Sequence, residues 1–303
     1  MTIKPKEYAR PMLAHDEVIW THKKMFPCFV SPKIDGIRGR VIDGTLLSRT
    51  AKRFRNEFTH NDFSHEILNG LDGELVAGNP WDKHCLENTK SAITSLDGQP
   101  GVTFYVFDDF TTPAIIFSER LIRLQERVAK IGHPRIQVVP QWMARTQEEV
   151  LAIEQYVLGA GYEGLIIKLP EYPYKHGRAT PRNPSMMKLK RFTDAEARIV
   201  GYYEEMENTN PQTENDLGYA TRSSHQAGMV GKGRLGGFEL RFDGSDDTFR
   251  CGSGFTAEQR EYFWLYRDQC IGHLAKIKHF EHGAKDAPRH CTFLGIRTTD
   301  VEG

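Results

Sequence analysis

The 303-residue chain has no apolar run approaching the ~18–20 residues that a bilayer-crossing helix needs. Its first ten residues, Met1 to Arg10, hold no apolar stretch of the signal-peptide kind. Membrane insertion and secretion are therefore not expected, and the cytoplasm is the expected compartment. Cysteine is scarce and unpatterned: Cys28, Cys85, Cys251, Cys270 and Cys291 are odd in number and never spaced C-x-x-C. That spacing offers neither a disulfide framework nor a zinc cluster. The 12 histidines form no H-x-x-x-H pair, internal repeats are absent, and there is no extended low-complexity tract.

Net charge is lacking too, since 40 Lys+Arg balance 40 Asp+Glu. The balance hides an asymmetry. Thr193 to Gly303 carries 13 basic against 18 acidic residues, a deficit of 5, which leaves an excess of 5 on Met1 to Phe192. A polyanion can be held by local basic clusters that the total conceals.

What the chain does contain is 39% hydrophobic residues over a length that suits about two domains of ~150 residues. Residues 1–192 alternate β-like runs with two well-signalled helices. The runs are Phe26 to Ser31, Arg38 to Ile42, Thr103 to Phe107, Ile136 to Val139 and Gly164 to Leu169. Thr146 and Glu149 have capping-box spacing ahead of Val150, Ile153 and Val157, and a second helix runs from about Ser118 to Gly132 on a stripe of Leu121, Leu124, Val128 and Ile131. The class is α+β.

Residues 193–303 read as short strands, Ala197 to Tyr203, Gly237 to Phe242, His273 to Phe280 and Thr292 to Arg297, around one helix opened by Thr256 and Gln259. That mixture suits a small β-barrel of the OB type. Between them Glu204 to Gly236 is long, polar and glycine-rich, far beyond the ~4–6 residues of ordinary loops, and is therefore either functional or disordered.

The most informative residues are Lys33-Ile34-Asp35-Gly36-Ile37-Arg38, placed after an apolar strand. A lysine attacks only as the free amine, and neighbouring cations or desolvation favour that form. Lys188 and Lys190 alternate with apolar residues in Met186-Met187-Lys188-Leu189-Lys190, so on a strand they share one face. Such a face beside Lys33 provides both the cationic surroundings and the charge to hold a phosphate.

Lys33-x-Asp35-Gly36-x-Arg38 resembles the first motif of the covalent nucleotidyltransferases, which comprise DNA ligases, RNA ligases and mRNA-capping guanylyltransferases. In the family's order follow Ser48-Arg49-Thr50, Asp72-Gly73-Glu74-Leu75, Phe104-Tyr105-Val106-Phe107-Asp108, Glu163-Gly164-Leu165-Ile166-Ile167-Lys168 and Lys188-Leu189-Lys190. The resemblance implies an adenylation (nucleotidyltransferase, ATP-grasp-like) domain over 1–192 followed by an OB-fold domain over 193–303. It implies Lys33 as the nucleophile that takes AMP from ATP. Ser31, Pro32, Ile34, Arg38, Glu74, Phe107, Lys168, Lys188 and Lys190 complete the nucleotide site. Within it Arg38 and Glu74 contact ribose and phosphate, Phe107 stacks on adenine, and the two lysines hold the α-phosphate. Glu74 and Glu163 would hold a divalent cation, Mg2+. Arg49 and Arg53 would grip the 5′-phosphate of a nick. Plain alternatives stand beside these roles: Phe107 as core packing, and Arg49 as part of a solvated cluster with Lys52, Arg53 and Arg55.

Arg289 to Arg297 resembles the sixth motif, a basic strand that orients pyrophosphate, with Arg289 and Arg297 as its cations. The family usually continues with an acidic residue and a lysine where this chain has Thr299 and Asp300, a departure from the family's pattern at the pyrophosphate. The expected protein is a small, phage- or virus-like, ATP-dependent DNA ligase, monomeric, acting on nicked duplex DNA with Glu204 to Gly236 as a candidate clamp. An RNA ligase or capping guanylyltransferase is the alternative, separable by substrate and by ATP against GTP. A non-catalytic nick-binding protein would need none of Lys33, Glu74, Glu163, Lys188 and Lys190.

Overall fold

The computed structural model describes residues 10–280 and 288–297. Alternation of apolar residues builds its first sheet. Val102–Asp109 buries Val102, Phe104 and Val106 and leaves the residues between them partly open, the period-2 signature of a half-buried strand. This sheet runs in the order Thr45–Ser48, Ile37–Ile42, Leu71–Ala77, Val102–Asp109, Ile136–Val138, antiparallel except for the last pair. Leu46, Phe54, Phe63, Leu75, Phe104 and Leu124 form its core, each burial stabilising by roughly 1.5–3 kcal/mol. Helix Phe117–Ile131 turns Leu121 and Leu124 inward and stops at Gly132, whose φ of 62° suits a residue without a Cβ.

A second, wholly antiparallel sheet has the order Met186–Leu189, Leu165–Lys168, Cys28–Pro32, Trp142–Ala144. Cys28, Val30, Val150, Val157, Ile167 and Met187 pack as its core. Helix Gln147–Gly159 starts where the sequence places it, with Thr146 Oγ1 accepting the Glu149 N–H at 3.2 Å; losing that cap costs about 1 kcal/mol.

Strand Cys28–Pro32 belongs to one sheet and Ile37–Ile42 to the other. The four residues Lys33 to Gly36 are therefore the crossing between them. A Cβ on Gly36 would lie 2.3 Å from the Leu75 carbonyl oxygen, so only glycine lets the crossing run this close to its neighbour.

The chain divides into two compact units, Met1–Lys190 with Glu214–Tyr219, and Arg191–Thr213 with Ala220–Gly303. In the second unit five strands run in the order Thr248–Cys251, Met229–Arg241, Thr193–Asn208, Leu274–Phe280, Arg289–Ile296. They form an open ladder rather than a hydrogen-bonded closed barrel. Its two edge strands approach each other at a bridge between Ser253 and Thr292, just beyond the end of Thr248–Cys251. Helix Ala257–Leu265 opens on the expected capping box of Thr256 and Gln259, and Phe255, Phe263 and Phe293 pack around Phe238.

The stretch Glu204 to Gly236, for which the sequence leaves a functional and a disordered segment open, is largely regular strand. Most of it is a ribbon in which Glu204–Asn208 pairs with Met229–Leu235, followed by a hairpin of Gln212–Glu214 with Ala220–Arg222. Beyond Tyr203 the ribbon buries almost none of its side chains, and with no covered face there is no apolar alternation to read.

Candidate active site

The crossing segment is fastened at its start by Lys33 N–H donating to the Gly164 carbonyl at 2.8 Å. Pairing of Leu165–Lys168 with Met186–Leu189 carries Glu163 and Lys190 to the same place. One oxygen of Glu163 accepts from the Lys33 ammonium and the other from Lys190. Three motifs far apart in the chain thus converge on one carboxylate.

Beside this cluster a cavity of about 270 Å³ is lined by Ser31, Pro32, Lys33, Ile34, Arg38, Arg49, Glu74, Phe107, Lys168 and Lys188. Arg38 is clamped by Asp72 through two hydrogen bonds of 2.6 Å and lies with its guanidinium 4.5 Å from the centre of the Phe107 ring. Burial opposes the Arg38 charge, and the Asp72 carboxylate more than offsets it, so its pKa is raised. Burial pushes Glu74 up to about 7, against the pull of Arg38 and Lys33.

Lys168 sits deeper than the other lysines, only 3% exposed, and donates to the Phe107 carbonyl at 2.9 Å and to Asp108 at 2.8 Å. Asp108 also receives Arg120 of helix Phe117–Ile131 at 2.8 Å. Burial pushes the Asp108 carboxyl up, and the two cations reverse this to leave it below its ordinary value. For Lys168 burial outweighs Asp108, and its pKa is lowered. These bonds tie Lys168, which also lines the cavity, to the strand end that carries Phe107.

Other expected residues lie elsewhere. Arg53 does not line the cavity and pairs with Glu57 at 2.6 Å. Lys52 meets Glu214 at 2.5 Å and Arg55 meets Asp216 at 2.8 Å, so much of the basic cluster around Arg49 is already neutralised. The turn that supplies those acids is held by the Ser48 and Thr50 hydroxyls, which donate to the Leu217 carbonyl. Arg289 and Arg297 belong to the second unit, where Arg297 pairs with Glu196 at 2.8 Å. Thr299 and Asp300 lie outside the described residues.

Several site residues have no sequence signal. Leu13, Ala14 and Arg178 line the cavity because the short strand Met12–Leu13 pairs in parallel with Gly177–Arg178. Asp16 bonds Lys188 at 2.6 Å and Arg178 at 3.1 Å, and the Lys188 contact lowers its pKa.

Among the described residues no group of three or more His, Cys, Asp or Glu side chains is placed to hold a metal ion. Mg2+ typically takes one or two carboxylates and fills its remaining positions with water and substrate phosphate. Of the two carboxylates expected at such a site, Glu74 lines the cavity, while both oxygens of Glu163 accept from lysine ammonium groups. No helix among the described residues is long and apolar enough to cross a membrane.

The family model for the ATP-dependent DNA ligase domain matches residues 11–190, and that for the DNA ligase OB-like domain matches residues 228–297. A solved Chlorella virus DNA ligase–adenylate is 30% identical, with a TM-score of 0.52 over 96% of this chain and 99% of that one. A Lig E DNA ligase structure is 21% identical, with a TM-score of 0.72 over 95% of this chain and 99% of that one, a likeness of fold. The DNA ligase of African swine fever virus (isolate Pig/Kenya/KEN-50/1950) is 26% identical over 187 residues, 57% of this chain and 44% of that protein. The match spans less than half the length of that relative. The chain belongs to the ATP-dependent DNA ligase family, with an adenylation domain and an OB-fold domain.

Proposed function

We propose that the protein seals nicks in duplex DNA with ATP, through a lysyl-AMP intermediate and an adenylated 5′-phosphate. The observation that carries this reading is the convergence of Lys33, Glu163 and Lys190 beside a cavity walled by Arg38, Glu74, Phe107 and Lys188. A protein that only binds DNA needs no lysine held in this way.

In the first step Lys33 Nζ attacks the α-phosphorus of ATP, a P–N bond forms, and pyrophosphate leaves in line. Lys33 sheds a proton before attack, and the Glu163 carboxylate in contact with it is the nearest acceptor. Lys188 and Lys190 neutralise charge that builds on the α-phosphate, and Phe107 offers its face to the base. AMP then passes to the nick's 5′-phosphate, which we assign to Arg49 and, once released from Glu57, Arg53, and the 3′-hydroxyl displaces AMP. Positioning and charge neutralisation supply most of the catalysis in such displacements. Mg2+ held at Glu74 and Glu163 would offset charge on the triphosphate. Arg289 and Arg297 are assigned to the pyrophosphate.

The five cysteines are free and buried, in keeping with a reducing compartment, and we place the protein in the cytoplasm as a monomer. Purified protein given a duplex with one 5′-phosphorylated nick should join it with ATP and not with GTP. Labelling by GTP, or joining confined to RNA, would contradict the reading in favour of a capping enzyme or an RNA ligase.

A further inference from the structure

The strands Ile37–Ile42 and Leu71–Ala77 place four charged residues on one face. Arg38 stands directly opposite Glu74, and Arg40 directly opposite Asp72. Direct neighbours on an antiparallel pair are the closest partners, with diagonal positions farther apart. The observed pairing is nevertheless diagonal: Arg38 bonds both oxygens of Asp72. Glu74 makes no hydrogen bond or ion pair among the described residues. Something outside the two strands selects Asp72 for Arg38.

That group is the Tyr174 hydroxyl. It donates to Asp72 Oδ2 at 2.6 Å and accepts the Met12 N–H at 2.9 Å, while Arg38 Nη2 donates to the Met12 carbonyl at 3.2 Å. Tyr174 is 5% exposed and Asp72 is fully buried. The phenol therefore loads the Asp72 oxygen that faces Arg38, and one backbone residue, Met12, binds both the phenol and the guanidinium. In a water-poor setting such a closed network holds one arrangement against its alternatives.

We propose that Tyr174 is a positioning residue of the nucleotide site: its hydroxyl fixes Asp72 on Arg38 and so leaves the Glu74 carboxylate unpaired for the nucleotide or its cation. The proposal rests on the nucleotidyl-transfer reading above. Without the hydroxyl, Arg38 turns to its direct neighbour Glu74 and takes away the carboxylate that the ligand uses.

The test is Tyr174→Phe, which keeps the ring and removes only the hydroxyl. Lysyl-AMP formation is followed under single-turnover conditions with ATP and Mg2+ at one pH, with Glu74 intact and in a Glu74→Gln background. The expected result is an adenylation rate lower by about tenfold with Glu74 intact and little further loss in the Glu74→Gln background, because the hydroxyl acts through the Glu74 carboxylate and coupled residues are not additive. Asp72→Asn, which also frees Arg38 for Glu74, should show the same dependence on the background. A purely structural role would lower the rate by the same factor in both backgrounds. An equal loss in both backgrounds, or an unchanged rate in Tyr174→Phe, overturns the proposal. Wild-type protein that forms no adduct with ATP overturns the underlying reading instead.

Discussion

Lys33 and Glu163 are joined by a hydrogen bond between ammonium and carboxylate, and the second oxygen of Glu163 takes Lys190. The carboxylate is 7% exposed, so its charge acts in a water-poor setting. Replacing Glu163 by Gln keeps the shape, removes the charge that orders both lysines, and weakens a candidate cation site. The rate of lysyl-AMP formation should fall by roughly 10²–10³-fold, with wild-type secondary structure by circular dichroism. A loss smaller than about threefold would remove Glu163 from the chemistry.

Glu74 predicts a pH dependence with a definite sign. Its folded pKa of about 7 lies above the ordinary 4.5, so the carboxylate forms only as pH climbs through about 7. Adenylation should rise over that window and flatten in Glu74→Gln. Stability moves the opposite way, since a carboxyl that holds its proton more tightly when folded costs stability as pH rises from 4.5 towards and past 7. The melting temperature of Glu74→Gln relative to wild type should therefore increase between pH 5 and pH 8.

Asp108 behaves in the reverse sense. Its folded pKa is below 3.8, so its contribution is complete above that value and is lost as pH falls below it. Asp108→Ala leaves Lys168 and Arg120 as buried cations without their carboxylate, which costs about 3–5 kcal/mol. Urea denaturation at pH 7 measures the loss, and a change below about 1 kcal/mol would show that water replaces the carboxylate freely.

The pairing of Lys52 and Arg55 with Glu214 and Asp216 bears on DNA. These are partly exposed pairs, so breaking them costs little stability, about 0–1 kcal/mol each. Glu214→Gln with Asp216→Asn removes the carboxylates that neutralise Lys52 and Arg55. If that surface meets the DNA backbone, nicked-duplex binding tightens and the slope of log K against log salt steepens by up to about 2. An unchanged slope would place the DNA phosphates elsewhere.

The parts of this site that were legible in the sequence are those whose constraint is local. Gly36 and Gly164 mark places where backbone passes backbone, with a Cβ on either lying 2.3 Å from a carbonyl oxygen, and each stands beside a functional residue. Thr146 and Thr256 announce helices through caps that need only three residues of context. Asp16 and Tyr174 were invisible, because their roles depend on Met12–Leu13 meeting Gly177–Arg178 across more than 160 residues. Lys168 belongs to a motif that implies a nucleotide ligand, and it lines the cavity. Its burial against Asp108 depends on which sheet lies opposite, and no spacing reports that. The ribbon at 204–236 was opaque for a different reason, since strands without a covered face carry no alternation.

The central claim is that Lys33 becomes covalently bound to AMP. Intact-mass spectrometry followed by peptide mapping, after incubation with ATP and Mg2+ without DNA, tests it most directly. The account predicts a single AMP on the peptide containing Lys33, lost on adding pyrophosphate and absent from Lys33→Ala. An adduct on another residue, or one that persists in Lys33→Ala, would contradict it.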